Sequence, residues 1–352
     1  MIKFKSILIL SFLITDLVLP ASSQESHPGG KKTIVYSFII NKVPDGFNFP
    51  LIGFLNFADG SHTGAQIGFI NQNQKNFRGL QLSFINTAGG IVTGTQTGFI
   101  NTTGGPFNGL QLGFVNTVAN SFKGAQAGFV NTIAGSFDGL QMGFINTATG
   151  QSDGMQMAFV NTAVKNINGM QMGFVNSAKM LNGLQFGFVN YADTVKKGFP
   201  FGFMSFVRKG GYQALELSLT ESFPFNLAFK TGIKALYTSL MVSWNPNYGE
   251  HYALGLGIGS IIPITRSVYF NPEVTAQGTY PDYHEIYGLT TQLGFALNRR
   301  LQLSFGPSLV WLNRESQEYY YDPLFYFYEY RLDDRNKMMM GARISMKYNF
   351  SK

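Results

Sequence analysis

Hydrophobic and polar positions along this chain follow two rhythms, and the change between them falls near residue 208. In the C-terminal part they alternate singly. From Met338 onward, Met340, Ala342, Ile344, Met346, Tyr348 and Phe350 share one face, opposed by Gly341, Arg343, Ser345, Lys347 and Asn349. A period of two is that of an extended strand, whose successive side chains point to opposite faces. The same alternation recurs in segments running through Leu215, Phe225, Leu240, Tyr252, Val268, Leu289 and Leu301. Together they predict eight strands, the smallest even number that closes an outer-membrane barrel.

The links between these segments alternate as well. Short ones fall around Lys234–Leu236, Thr265–Arg266 and Asn298–Arg300. The others are "ESFPF", "NPNYGE", "TYPDYHE" and the long "RESQEYYYDPLFYFYEYRLDDRNK". Outer-membrane barrels keep their short turns in the periplasm. The parity therefore places both barrel ends, and everything before them, on the periplasmic side; cell-surface exposure is the alternative. A soluble β-sandwich is the competing fold, but it does not require an apolar face on every strand. The aromatic run in the long link reads equally as a ligand-binding tip or as strand extensions in an interfacial girdle.

The second rhythm is a repeat. "GLQLGFVNT" at Gly109 returns as "GAQAGFVNT" at Gly124 and "GLQMGFINT" at Gly139, with the motif glycines fifteen residues apart from Gly64 to Gly169, then at Gly183 after one deletion. "IGFLN" and "GFPFGFMS" keep the spacing but lose parts of the motif, as end caps of a stack do. Fifteen residues are too few for a helical hairpin. An antiparallel meander would not align identical residues, whereas a β-solenoid stacks them in register. The expectation is therefore an all-β chain: a β-solenoid of 15-residue repeats, followed by an eight-stranded antiparallel transmembrane β-barrel.

In such a stack, amides of one kind form hydrogen-bonded ladders. The predicted rungs are Gln66, Gln81, Gln96, Gln111, Gln126, Gln141, Gln156, Gln171 and Gln185, with Asn71, Asn86, Asn101, Asn116, Asn131, Asn146, Asn161, Asn176 and Asn190. Leu110, Leu112 and Phe114 make one side of a copy and Gln111, Gly113 and Val115 the other, with Phe114 expected to stack in the core and the glycines to form tight corners. A second apolar site, at Phe77, Val92, Phe107, Phe122, Phe137 and Ile167, would close the coil from its opposite wall. The face of Gln and small residues is also a candidate surface for a ligand or a strand-like partner; ladders that hold the coil together are the simpler reading.

Composition narrows the function classes. Cysteine is absent, which removes disulfides, thiol catalysis and Cys-ligated metals. The net charge of +7 is dispersed, so nucleic acid is not an expected partner. "MIKFKSILILSFLITDLVLPASSQ" has the basic start, apolar run (interrupted by Asp16) and small residues of an export signal, with a retained N-terminal anchor as the alternative. The predicted organisation is residues 1–23 as signal peptide, 24–48 as linker or cap, 49–208 as solenoid and 209–352 as barrel. No later stretch is long and apolar enough for a membrane helix. Inside the barrel, Glu216, Lys230, Glu273, Arg343 and Lys347 face inward with both signs, which reads as an ion-pair plug, with a proton or ion path as the alternative. Only four histidines occur, His27, His62, His251 and His284; the last two fall in predicted outer loops, where a lone His is expected to be solvated. "GLGIGS" is a strand, not a phosphate loop, and no metal spacing stands out, so neither catalytic residues nor cofactors are assigned.

Three resemblances add to this. The closing "RISMKYNF", with Phe350, resembles the C-terminal signal by which bacterial barrels are inserted. The G-x-Q-x-G-F-V-N copies resemble the surface-repeat outer-membrane proteins of Leptospira and Bacteroidetes over about residues 50–205. "KTGIKALYTSLMVSW" and "NRRLQLSFGPSLVWLN" are similar to segments of Bacteroidetes outer-membrane barrels. These imply an outer-membrane location, contact with outer-membrane lipid, and handling by the barrel-assembly machinery. The families carry no agreed activity. The expected function is a non-enzymatic barrel anchoring a repeat scaffold for envelope structure, binding or adhesion, with a protein or glycan partner not yet identified. A lipid-modifying small-barrel enzyme, dependent on His251 or His284, and a narrow channel are the alternatives.

Overall fold

The computed structural model describes residues 34–245, 252–280, 284–314 and 325–351. The expected signal segment, the start of the 24–48 linker, His27, His251, most of "NPNYGE" and much of the aromatic loop lie outside the described residues. Among the described residues every element is a β-strand. The chain divides after Gly173 into two compact units.

The first unit is a parallel β-solenoid. A six-residue strand such as Phe107–Leu112 is followed by a bend at Gly113 and a four-residue strand, Val115–Val118, before the chain turns back. Each strand pairs in parallel with its copies one coil away: Gln111 with Gln96 and Gln126, Asn116 with Asn101 and Asn131. The stack starts earlier than the motif does, because Ile40–Val43 pairs with Leu55–Ala58 and sets Asn41 against Asn56. Phe77, Val92, Phe107, Phe122 and Phe137 pack inward against Ala88, Val118, Ile133 and Ala148, forming the apolar core.

Two sequence expectations are corrected here. The motif Phe is not in the core: Phe114 is 44% exposed and Leu82 42%, while Gln111 and Asn116 are fully buried. Alternation fixed the two faces but not which was inside, and backbone geometry decides it by admitting the amides. The first motif glycine is not at a corner either. Gly109 lies within its strand at φ +140°, and a Cβ there would stand 1.9 Å from the Gly94 carbonyl oxygen. Only glycine fits both conditions. The second, Gly113, does mark the bend, where a Cβ would meet the Gly98 oxygen at 2.2 Å.

The second unit begins with two further turns of coil in Val175–Lys209 and continues into a closed antiparallel barrel. Its eight long strands are Tyr212–Leu219, Phe225–Ile233, Leu236–Trp244, Tyr252–Gly259, Val268–Tyr280, His284–Ala296, Leu301–Arg314 and Asn336–Asn349. The last pairs with the first, with Leu217 opposite Met346, so no long strand is left with an open edge. Outward side chains such as Leu217, Leu254, Val274 and Ile344 are exposed, whereas the inward set is small or polar and buried.

Candidate functional site

The barrel interior gathers every charge that the alternation assigned to it. Glu216 comes from the first strand, Lys230 from the second, Glu273 from the fifth, and Arg343 with Lys347 from the last. Lys230 Nζ lies 2.7 Å from one Glu216 oxygen and 2.5 Å from Glu273, and Lys347 Nζ lies 3.4 Å from Glu216. Arg343 pairs with the other Glu216 oxygen and stands 4.0 Å from Glu273. Tyr237 donates to Glu273 at 3.0 Å, and Asn271 accepts from Lys347. All five charged side chains are at most 3% exposed. Charges removed from water this completely persist only when paired, and here each carboxylate meets more than one cation.

Towards the far end of the lumen, Glu221 accepts a hydrogen bond from Ser308 at 2.6 Å. A cavity of about 30 Å³ lies beside it, lined also by Thr275, Thr290 and Arg343. Side chains of both signs and several hydroxyls therefore crowd the bore at this level.

In the solenoid the two amide ladders run in opposite senses. From Gln81 to Gln171 each Gln donates to the preceding coil, Gln111 to Gln96 at 2.7 Å and Gln126 to Gln111 at 2.6 Å. Each Asn donates to the following one, Asn101 to Asn116 and Asn116 to Asn131, both at 2.8 Å. The second Asn amide hydrogen is used as well, since Asn116 also donates to the Ala127 carbonyl at 2.9 Å. In the second unit Asn176 donates to Asn190, which ends the run on the Ser205 hydroxyl at 3.2 Å. The Gln face is therefore interior, and the idea that it binds a ligand is overturned by its burial.

The exposed regular surface is the one that bears the motif Phe. Phe54, Phe69, Phe84, Phe99, Phe114, Phe129, Phe144 and Phe159 stack face to face at 4.8–5.1 Å with ring planes within 4°. That spacing is the distance between neighbouring strands, so the rings follow the backbone repeat. Phe174, Phe188 and Phe203 form the same column in the second unit, at 4.9 and 4.6 Å.

The sequence reading missed where this column meets the barrel. Thr231 and Thr238 lie on the outward face of the hairpin formed by the second and third strands, yet they are buried. Thr231 donates to the Ser205 carbonyl at 2.5 Å and Thr238 to the Gly202 carbonyl at 2.7 Å. The last coil therefore packs against the outside wall of the barrel. Phe203 shares an apolar groove of about 710 Å³ with Leu215, Leu227, Phe229, Leu240 and Leu254. The available signal was two hydroxyl residues in a row of otherwise apolar outward positions.

Both described histidines are buried, and of the two expected in solvent His284 departs from that expectation. His62 occupies the inward position held by Phe77 one coil later, stacks between Phe47 and Phe77, and places Nε2 3.0 Å from the Phe49 carbonyl oxygen. Burial pushes its pKa below the usual 6.5, against a smaller opposing effect of that carbonyl. His284 opens the sixth strand and is 3% exposed rather than solvated. Phe350 is half exposed, packs edge-on against Tyr348, and its backbone N–H donates to the Gln213 carbonyl. Among the described residues no group of three or more His, Asp or Glu is placed to hold a metal ion. No protein-family model and no curated protein matches the chain.

Proposed function

We propose that this chain is a non-enzymatic outer-membrane protein in which the barrel is an anchor and the coils are a scaffold. The observation that carries the reading is the barrel's inverted chemistry. Its outward wall is apolar, and its bore is occupied by the Glu216, Lys230, Glu273, Arg343 and Lys347 cluster. An apolar belt around a closed eight-stranded barrel suits lipid, and a bore filled by paired charges suits an anchor better than a channel. The coils offer length, regularity and an exposed aromatic column, the attributes of a binding rod for a protein or glycan partner. By link parity the coils stand on the periplasmic side, and Phe350 serves the barrel-assembly machinery as its insertion signal.

Two measurements test this. Purified protein in planar bilayers is expected to give no unitary conductance steps; steps abolished by closing the bore would make it a channel. An epitope inserted at the exposed Ala119–Asn120 turn of the Ala119–Lys123 spacer, leaving the core residue Phe122 in place, is expected to resist protease on intact cells and to be cleaved after lysis. Cleavage before lysis would put the coils on the cell surface.

A further inference from the structure

The solenoid's exposed side has a composition that its interior does not explain. Three columns face outward there: the residue after the motif glycine, the residue two further on, and the motif Phe. From Ala65 to Phe203 none of these positions carries a charge, although the chain holds 26 Lys and Arg and 19 Asp and Glu. Charges instead fall elsewhere in the coil, as at Lys75, Arg78, Lys123 and Asp138. Up to Ala127 the first two columns mix Leu80 and Leu82 with Thr95 and Thr97, and from Leu140 onward every position is a large apolar residue, through Met170, Met172, Leu184, Phe186, Phe199 and Phe201. A long apolar patch free of charge is the mark of a contact surface.

What the surface contacts is indicated within the second unit. Its final coil is held by Thr231 and Thr238 on the barrel's outward wall, the wall whose other side chains are apolar and exposed. The aromatic column runs Phe174, Phe188, Phe203 and then joins Phe229, Leu240 and Leu254 in one groove. An apolar surface continuous with a lipid-facing belt meets the same solvent as that belt. We infer that the Phe174–Phe188–Phe203 column and its neighbours Leu184 and Phe186 form a lipid-contact surface, by which the last coils lie on the membrane beside the barrel. This rests on the reading of the barrel as membrane-spanning, and it assigns the exposed aromatic column an occupant of stated chemistry: phospholipid acyl chains at the bilayer interface.

The absence of native cysteine makes a direct test possible. Single variants Leu184→Cys and Phe174→Cys in the full chain would carry a bimane fluorophore, with Leu254→Cys reporting the barrel belt and Tyr191→Cys reporting a column outside the stripe. Each is reconstituted in vesicles of phosphatidylethanolamine and phosphatidylglycerol, with or without dibrominated phosphatidylcholine, and is separately exposed to aqueous iodide. The expected result is loss of emission to brominated lipid at Leu184 and Phe174 comparable with that at Leu254, while Tyr191 responds to iodide. Iodide quenching at Leu184 and Phe174 with lipid quenching kept at Leu254 would overturn the inference and leave the barrel reading standing. Shielding of Leu184 and Phe174 from both quenchers would put protein, such as a second copy, on the stripe and would also overturn it. Failure of lipid quenching at Leu254 itself would remove the barrel reading and the inference with it.

Discussion

At the scale of single residues, the coil reverses the usual relation between polarity and burial. Asn116 is fully buried and joined to three partners, whereas Phe114 is 44% exposed. Replacing Asn116 by Ala strands the Asn101 donor and the Asn131 Oδ1 acceptor, while the Ala127 carbonyl keeps the Gly113 N–H; each stranded group costs about 1–3 kcal/mol when buried and unpaired. Phe114→Ala loses only partial burial and two stacking contacts, about 1–2 kcal/mol. Asn116→Ala is therefore expected to lower the thermal midpoint of the coils, followed by circular dichroism, further than Phe114→Ala; the reverse order would contradict the inside face described here. Gly109→Ala combines a left-handed φ with a 1.9 Å clash against backbone and is expected to cost about 3 kcal/mol or more in the same assay.

His62 adds a pH dependence at this scale. Its folded pKa lies below the ordinary 6.5, so above 6.5 both folded and unfolded chains hold it neutral and nothing is lost. As pH falls below 6.5 the unfolded imidazole takes up a proton that the folded one resists, and stability drops. Hydrogen exchange of His62–Ile67, corrected for the intrinsic rate, is expected to accelerate between about pH 7.5 and 5.5. His62→Phe, which restores the residue found at Phe77, is expected to remove that change.

At the scale of elements, one coil is the unit of stability, because its strands pair only with adjacent coils. Deleting the whole period Gly109–Lys123 brings Gly94 against Gly124 and keeps both ladders continuous. That variant is expected to fold with a β-spectrum like the parent's. Deleting Gly109–Phe114 alone sets unlike residues against each other and is expected to abolish cooperative melting of the coils. In the barrel, Lys230→Met leaves Glu216 and Glu273 buried with fewer cations and is expected to cost about 3–5 kcal/mol. A lower temperature for the shift from folded to unfolded gel mobility is the readout.

The elements also show how much of the fold was legible in advance. The 15-residue spacing and the period of two gave the architecture, since each stems directly from backbone geometry. What remained hidden is the inside of the coil. Alternation separates Gln111 from Leu110 and Leu112, and hydropathy then places the aliphatic side inward. The ladders reverse this because stacked amides satisfy one another at the strand spacing, a gain that exists only once copies align in register. Asn41 and Asn56 join the ladder without a full motif around them, so the repeat as written understates the stack. His284 was expected in solvent because a sequence cannot show how far a strand extends past its last regular alternation.

At the scale of the whole chain, the coils bury amide ladders beside an apolar core and the barrel buries its charges, and each presents an apolar stripe or wall outward. The meeting of the two in the second unit, at Thr231 and Thr238, was written in the sequence only as two hydroxyls out of place. The proposed anchor stands or falls with a barrel wall that faces lipid. Nitroxide labels placed one at a time from Leu303 to Trp311, in protein reconstituted in phospholipid vesicles, test it most directly. A lipid-facing wall gives strong collision with oxygen at Leu303, Phe305, Leu309 and Trp311, and low accessibility to both oxygen and a water-soluble nickel chelate at Ser304, Gly306, Ser308 and Val310. Equal access of the nickel chelate to the outward positions would contradict it.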